Sequence, residues 1–312
     1  MAGSSEVSGL RARAGEYLAM RRALGFKLAS QGPRLMSFVA FCEDRGTDRV
    51  TADLAVEWAT ATEGDEVNQA RRLDVVRIFA RHLQALDPGT EVPPDDILSR
   101  RYRRIPPYLY SPQEVSALMS AAGRFRPAIR AAAWQALIGL LAVTGMRPGE
   151  ACRLGRGDVD LDTATIVIEE SKFGKSRLVF LDPTAVTVLR SYENARDEAF
   201  PEATAFLVNS CGRPLRGTYL PHVFAPLAEA AGIQAPPGQR APRLHDLRHV
   251  FAVTTLLDWY RDGGDVQARL PVLSTWLGHV DPKSTYWYLQ AVPELLALAA
   301  ARLEPAGEEA AQ

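Results

Sequence analysis

The 312-residue sequence predicts a mainly α-helical protein carrying one small β-sheet or hairpin, built as an N-terminal helical bundle followed by a larger α+β unit. Three observations carry that expectation. Apolar residues recur at helical intervals through most of the chain. One short stretch, residues 164–181, is instead rich in β-branched residues around a glycine turn. Between the two helical regions lies a basic run flanked by prolines, and this length is natural for two domains. The expected boundaries are a helical domain over 1–99, a linker over 100–107, a second domain over 108–304 and a tail over 305–312.

In the first domain, residues 11–28 and 34–43 carry apolar groups at helical spacing on either side of a Gly32-Pro33 break. Thr51 reads as an N-cap for a helix over 52–60. Residues 67–86 place Leu73, Val76, Ile78, Ala80 and Leu83 on one helix that Pro88 ends. Together these make a bundle of four or five helices with arginines on its solvent side. Pro93-Pro94 and Arg100-Arg101-Tyr102-Arg103-Arg104-Ile105-Pro106-Pro107 then form a stiff, extended, basic tether.

The second domain opens on Ser111-Pro112-Gln113-Glu114, a capping box with proline at the first helical position. An apolar helix over 129–143 runs into Thr144-Gly145-Met146-Arg147-Pro148-Gly149-Glu150. A strand over 164–169, a turn at Phe173-Gly174-Lys175 and a returning strand over 177–181 make the hairpin. Further helices are expected over 183–199, 218–231, 245–259, 271–277, 282–289 and 293–303, with a loop around Gly263-Gly264.

Composition excludes several classes. Apolar residues form 47% of the chain, too many for wholesale disorder. The longest apolar stretch, 131–144, falls short of the roughly 18 residues that a bilayer span needs. The N-terminus has no apolar core of the secretory kind, so no membrane partner and a cytoplasmic location are expected. Cys42, Cys152 and Cys211 are dispersed and odd in number, which fits neither a disulfide framework nor a zinc site. The net charge of −1 argues mildly against a simple DNA-coating protein, yet local charge is what a phosphate backbone meets. Arginines cluster at 11–22, 71–81 and 100–104, while acidic residues collect in the 304–309 tail.

Arg243-Leu244-His245-Asp246-Leu247-Arg248-His249 carries the densest chemistry. On a helix, His245, Arg248 and His249 share a face. The two histidines have a zinc-protease spacing, but Asp246 stands where that motif needs glutamate and no third ligand follows, so no metal is expected. Downstream come Leu277-Gly278-His279 and Ser284-Thr285-Tyr286-Trp287-Tyr288.

An arginine in a TGxRxxE segment (Arg147), a hairpin lysine (Lys172), HxxR (His245, Arg248), LGH (His279) and a tyrosine nine residues later (Tyr288) occur in that order. In this combination the chain resembles the tyrosine recombinase (phage integrase) family across residues 111–303. The N-terminal bundle more loosely resembles that family's core-binding domain. The neighbourhood of Gly263-Gly264 is similar to recombinases of bacterial transposable elements. No arm-binding domain is expected before Arg11. The resemblance implies a site-specific recombinase or integrase that cuts and rejoins DNA through a 3′-phosphotyrosyl intermediate, with no metal or nucleotide cofactor.

The chemistry fits those residue types. Phosphodiester cleavage builds negative charge on the non-bridging oxygens, and the planar, permanently charged guanidiniums of Arg147 and Arg248 suit it. A tyrosine hydroxyl, with a pKa of about 10, needs a proton acceptor, the role expected of His245. By resemblance, Lys172 protonates the departing 5′-oxygen and His279 hydrogen-bonds the phosphate. Lys175 remains an alternative acid, and Lys175 and Arg177 are also expected on DNA phosphates. Tyr286 and Tyr288 point about 200° apart on a helix, so only one faces the arginines. The interval from His279 matches the family at Tyr288.

The resemblance implies double-stranded DNA as the partner, with Arg100, Arg101, Arg103 and Arg104 expected to neutralise phosphates if the two domains clamp a duplex. A homo-tetramer on synapsed DNA, a monomer when free and accessory recombinases from the same locus are further expectations. The apolar side of residues 293–303 packs either on its own domain or on a neighbouring protomer. A type IB topoisomerase and a DNA-binding accessory protein are the rival functions.

Overall fold

The computed structural model describes residues 9–62, 66–98, 106–169, 176–279, 281 and 283–301. The chain falls into two compact units, residues 1–104 and 105–312. The described residues are mainly helical with a single three-stranded antiparallel sheet, as the sequence predicts. None of their helices is long and apolar enough to cross a membrane.

In the first unit, α1 (Leu10–Ala23), α2 (Gln31–Asp44), α3 (Ala52–Thr60) and α4 (Glu66–Gln84) enclose a core containing Leu35, Phe38, Trp58, Leu73 and Phe79. α3 has the expected bounds because its cap is local: Thr51 Oγ1 accepts from the Leu54 N–H at 3.3 Å. Gly32-Pro33, expected as a break, lies inside the first turn of α2. Proline is tolerated there because those N–H groups have no intrahelical acceptor. The arginines of α4 are not all on the solvent side. Arg77 is buried, donating to the Pro93 and Pro94 carbonyls at 2.9 and 2.6 Å and to Asp74 at 2.6 Å. Arg72 stacks over the Trp58 ring, 4.0 Å from its centroid.

The second unit is organised around α6 (Ala128–Thr144), most of whose side chains are buried. Packed on it are α5 (Pro112–Ala122), α8 (Pro183–Ala199) and α10 (Asp246–Arg261). α5 carries the predicted capping box, with Ser111 Oγ accepting from the Glu114 N–H and Glu114 accepting from the Ser111 N–H. α8 starts at Pro183, where Asp182 caps the Thr184 N–H at 2.8 Å. The sheet has the order β1 (Val159–Asp160), β2 (Thr165–Ile168), β3 (Arg177–Phe180), with Ile166 opposite Val179. β1 was not expected; its two residues are too few for any periodicity. The turn of the hairpin lies outside the described residues.

α7 (Pro148–Ala151) is a single turn, and α9 (Leu220–Ala230) packs on α5. α11 (Val266–Leu277) begins five residues before the expected Pro271, because Asp265 caps the Ala268 N–H and the helix continues through the proline. α12 (Lys283–Ala291) and α13 (Pro293–Ala301) close the described chain. Leu295 of α13 is fully buried in a cluster with Leu256 and Leu273, so part of the apolar side is covered from within this unit, while Leu296 is exposed.

Candidate active site

Two helix ends build the site. α6 stops at Gly145, which adopts φ 64. A Cβ there would stand 2.5 Å from a Phe251 ring carbon, so both the left-handed conformation and the space demand glycine. α11 stops in the same manner at Gly278, φ 66, with the Gly278 N–H on the Thr275 carbonyl and the His279 N–H on Ser274, each at 2.9 Å. This is a Schellman terminus, and it explains Leu277-Gly278-His279 physically. Leu277 anchors the core, Gly278 turns the chain left-handed, and His279 is thrown back across the helix end.

The last carbonyls of a helix lack intrahelical donors and carry the negative end of its dipole. At α11, three consecutive carbonyls are each met by an arginine. Arg177 Nε donates to Trp276 at 2.7 Å, Arg248 Nη2 to Leu277 at 2.7 Å and Arg147 Nη2 to Gly278 at 3.0 Å. Arg248 Nη1 reaches the Gly145 carbonyl at 2.8 Å, and Trp276 Nε1 reaches the Thr144 carbonyl at 2.9 Å. The two helix ends are thereby tied together, with Arg147 and Arg248 side by side.

Glu150 is the counter-charge beneath them. It accepts from Arg147 Nη1 at 2.6 Å, from the Arg147 N–H at 2.9 Å and from Arg177 Nη2 at 2.7 Å. Burial alone would raise its pKa, but the Arg177 and Arg147 hydrogen bonds outweigh that and bring it down to about 2. Arg177 was expected to meet DNA phosphates. Its side chain is instead only 7% exposed and committed to Glu150 and the Trp276 carbonyl, so its role here is to hold the site together. Arg147 also pairs with Glu150, yet its side chain keeps 26% exposure. Arg248 is 2% exposed, and burial followed by the Arg147 charge brings its pKa down to about 10, still cationic at neutral pH.

Three imidazoles complete the cluster. His245 precedes α10, positioned by the buried Asp246, which accepts from the Arg243 N–H at 2.9 Å and Arg240 at 2.8 Å. His279 Nδ1 lies 2.7 Å from Thr285 Oγ1 on α12, and its ring stacks 6.4 Å from that of Tyr288. Tyr288 is 2% exposed whereas Tyr286 is 47% exposed, so the two tyrosines do face apart, with Tyr288 toward the cluster. The Tyr288 hydroxyl stands 3.0 Å from Nδ1 of His249, a residue that sequence reasoning weighed only as a metal ligand. Burial above all depresses the three histidines, helped by neighbouring arginines at His245, by His245 and arginines at His249, and by arginines and His245 at His279, bringing His245 to about 4 and His249 and His279 to about 3. All are neutral at pH 7.

The structure therefore brings together Arg147, His245, Arg248, His279 and Tyr288. Lys172, Lys175, Arg100, Arg101, Arg103 and Arg104 lie outside the described residues. Sequence reasoning missed His249, Glu150 as the shared anchor, and Thr285. The one signal for His249 was its place one turn beyond His245 on the same face.

The phage integrase family matches residues 109–294, more than half of the chain. The Sinorhizobium fredii (strain NBRC 101917 / NGR234) protein named integrase/recombinase y4rB is 40% identical over 312 residues, spanning 97% of this chain and 99% of its own length. Tyrosine recombinase XerC of Bacillus subtilis is 30% identical over 207 residues, 64% of this chain and 62% of its own. Among solved structures, the Tn1549 transposon integrase in complex with transposon right-end DNA has the same fold. Its TM-score is 0.65 at 16% identity, over 94% of this chain and 98% of that one. The chain belongs to the phage integrase family of tyrosine recombinases. Its activity is site-specific DNA recombination by a tyrosine mechanism.

Proposed function

We propose that Tyr288 attacks the scissile phosphate of double-stranded DNA, forming a 3′-phosphotyrosyl link and releasing a 5′-hydroxyl that later attacks to rejoin the strand. The observation that carries this is the paired guanidiniums of Arg147 and Arg248 on adjacent carbonyls at the end of α11, with His279 and Tyr288 beside them. Fixed donors aimed at a phosphate stabilise the charge that builds on its oxygens without reorganising during the reaction. His279, held by Thr285, donates to the same phosphate, and the phenolic proton passes to the neutral His245–His249 pair. Lys172 is the proposed acid for the 5′-oxygen, with Lys175 as the alternative. A covalent intermediate conserves the phosphoryl bond energy, so rejoining needs no nucleotide.

Exchange between two duplexes requires four cleavages, hence a tetramer on synapsed DNA assembled from free monomers. Arg100, Arg101, Arg103 and Arg104 neutralise backbone phosphates, and their loss would flatten the salt dependence of binding. Accessory recombinases from the same locus, on a mobile element, fit this reading, with the reaction in the cytoplasm. Tyr288→Phe tests the nucleophile: the variant is expected to bind DNA as wild type does and to yield no covalent product. Covalent product at the wild-type level would sink the assignment.

A further inference from the structure

Beyond the phosphate-gripping set, one titratable side chain touches the nucleophile itself. His249 Nδ1 is 3.0 Å from the Tyr288 hydroxyl oxygen, and the rings meet at 61° with centroids 5.5 Å apart. Both partners are held in place. Tyr288 sits in the α10–α13 core with Leu256, Leu273 and Leu295, and the Trp287 ring lies 5.8 Å from His249. His245 lies one turn earlier, just before α10, its ring 5.2 Å from that of His249 and nearly perpendicular.

We propose that His249, rather than His245, takes the phenolic proton of Tyr288 during strand cleavage. This rests on the function proposed above and names a residue for a step left open there. As the phenolic O–H bond breaks, its electron pair forms the new bond to phosphorus and the proton moves to His249 Nδ1. The phosphorus–O5′ bond breaks, and the 5′-oxygen leaves with a proton from the acid. Rejoining reverses each transfer: the 5′-hydroxyl attacks, and His249 returns the proton to the departing phenolate.

Three features support the assignment. The first is reach, since a base must stand within about 3.2 Å of the proton it takes or act through a water. The second is the state of the ring. A neutral imidazole protonated on Nε2 presents a lone pair at Nδ1. Burial, together with His245, Arg240 and Arg243 before α10 and Arg248 on it, keeps His249 neutral at physiological pH. The third is charge. Arg248, Arg240 and Arg243 oppose an imidazolium in the empty site, and a phosphate seated on Arg147 and Arg248 brings negative charge that offsets them. The base therefore becomes competent once the substrate is in place.

His249→Asn tests this, because its amide offers a hydrogen-bonding atom near the position of Nδ1 but cannot accept a proton at neutral pH. Wild type and variant are incubated with a supercoiled plasmid carrying the DNA that flanks the gene, and covalent adduct is timed after a denaturing quench. DNA affinity is measured in parallel. The variant is expected to bind within about twofold of wild type and to form adduct at least about tenfold more slowly. Its rate is also expected to climb about tenfold per pH unit from pH 7 to 9, because the phenol must then ionise unaided. Wild-type rates, or a pH profile parallel to that of wild type, overturn the inference. Should the asparagine variant fail to bind DNA, His249→Gln is held to the same criteria. A wild-type adduct with an unaffected variant removes this inference alone, whereas no wild-type adduct removes the proposed function with it.

Discussion

Glu150→Gln removes the charge shared by Arg147 and Arg177 while keeping the shape of the side chain. Glu150 is 2% exposed, so solvent screening discounts its interactions little. Its carboxyl falls from 4.5 to about 2 in the folded protein. At about 1.4 kcal/mol per pH unit, that is roughly 3 kcal/mol of stability at neutral pH, comparable to the cost of breaking a buried ion pair. A depressed carboxylate stabilises the fold above its unfolded pKa and loses that contribution as pH falls through its folded pKa. The difference between wild type and variant is therefore expected to be about 3 kcal/mol at pH 7 and to shrink between pH 4.5 and about 2. Urea unfolding followed by tryptophan fluorescence reads it directly, since Trp134, Trp259, Trp276 and Trp287 all belong to the second unit. Equal midpoints at pH 7, or a difference independent of pH, would refute the placement of Glu150 as the anchor of the site.

Other perturbations reach the same architecture from different sides. Gly145→Ala forces a Cβ into Phe251 at φ 64 and is expected to cost at least about 2 kcal/mol, seen as a thermal midpoint lowered by several degrees. Thr285→Val is nearly isosteric but takes the hydroxyl from His279 Nδ1; adduct formation should slow about tenfold with DNA affinity unchanged, and a wild-type rate would dismiss Thr285 as a positioning residue. His245, His249 and His279 have folded pKa values depressed to about 3 or 4, so their contribution is present above the unfolded value of about 6.5 and declines as pH falls below it. Unfolding midpoints measured from pH 7 to 5 should fall, and a flat profile would contradict the buried neutral state.

What was legible in the sequence is what neighbouring residues decide. Thr51 and the Asp182-Pro183 pair cap their own helices, and the bounds of α3 and α8 follow from them. That Arg147, Arg248, His279 and Tyr288 gather in one cluster was readable because residue type and order pointed to it. Less legible was anything set by a distant partner. Arg177 looked like one of several hairpin cations that meet DNA phosphates, but Glu150, far back in the chain, draws it inward. Pro271 looked like a helix start because proline favours the first turn, whereas the cap at Asp265 had already begun α11. His249 shares a face with His245, yet only the packing of α12 against α10 brings a phenol to it.

The central claim is that Tyr288 becomes joined to DNA. Purified protein would be incubated with supercoiled or nicked DNA spanning the ends of its own locus, denatured and digested, and the DNA-linked peptide sequenced. The account predicts one linked residue, Tyr288, attached to a 3′-phosphate opposite a free 5′-hydroxyl. A link through Tyr286 or another side chain, a 5′-phosphate attachment, or DNA binding with no link in the presence of the neighbouring gene products would contradict it.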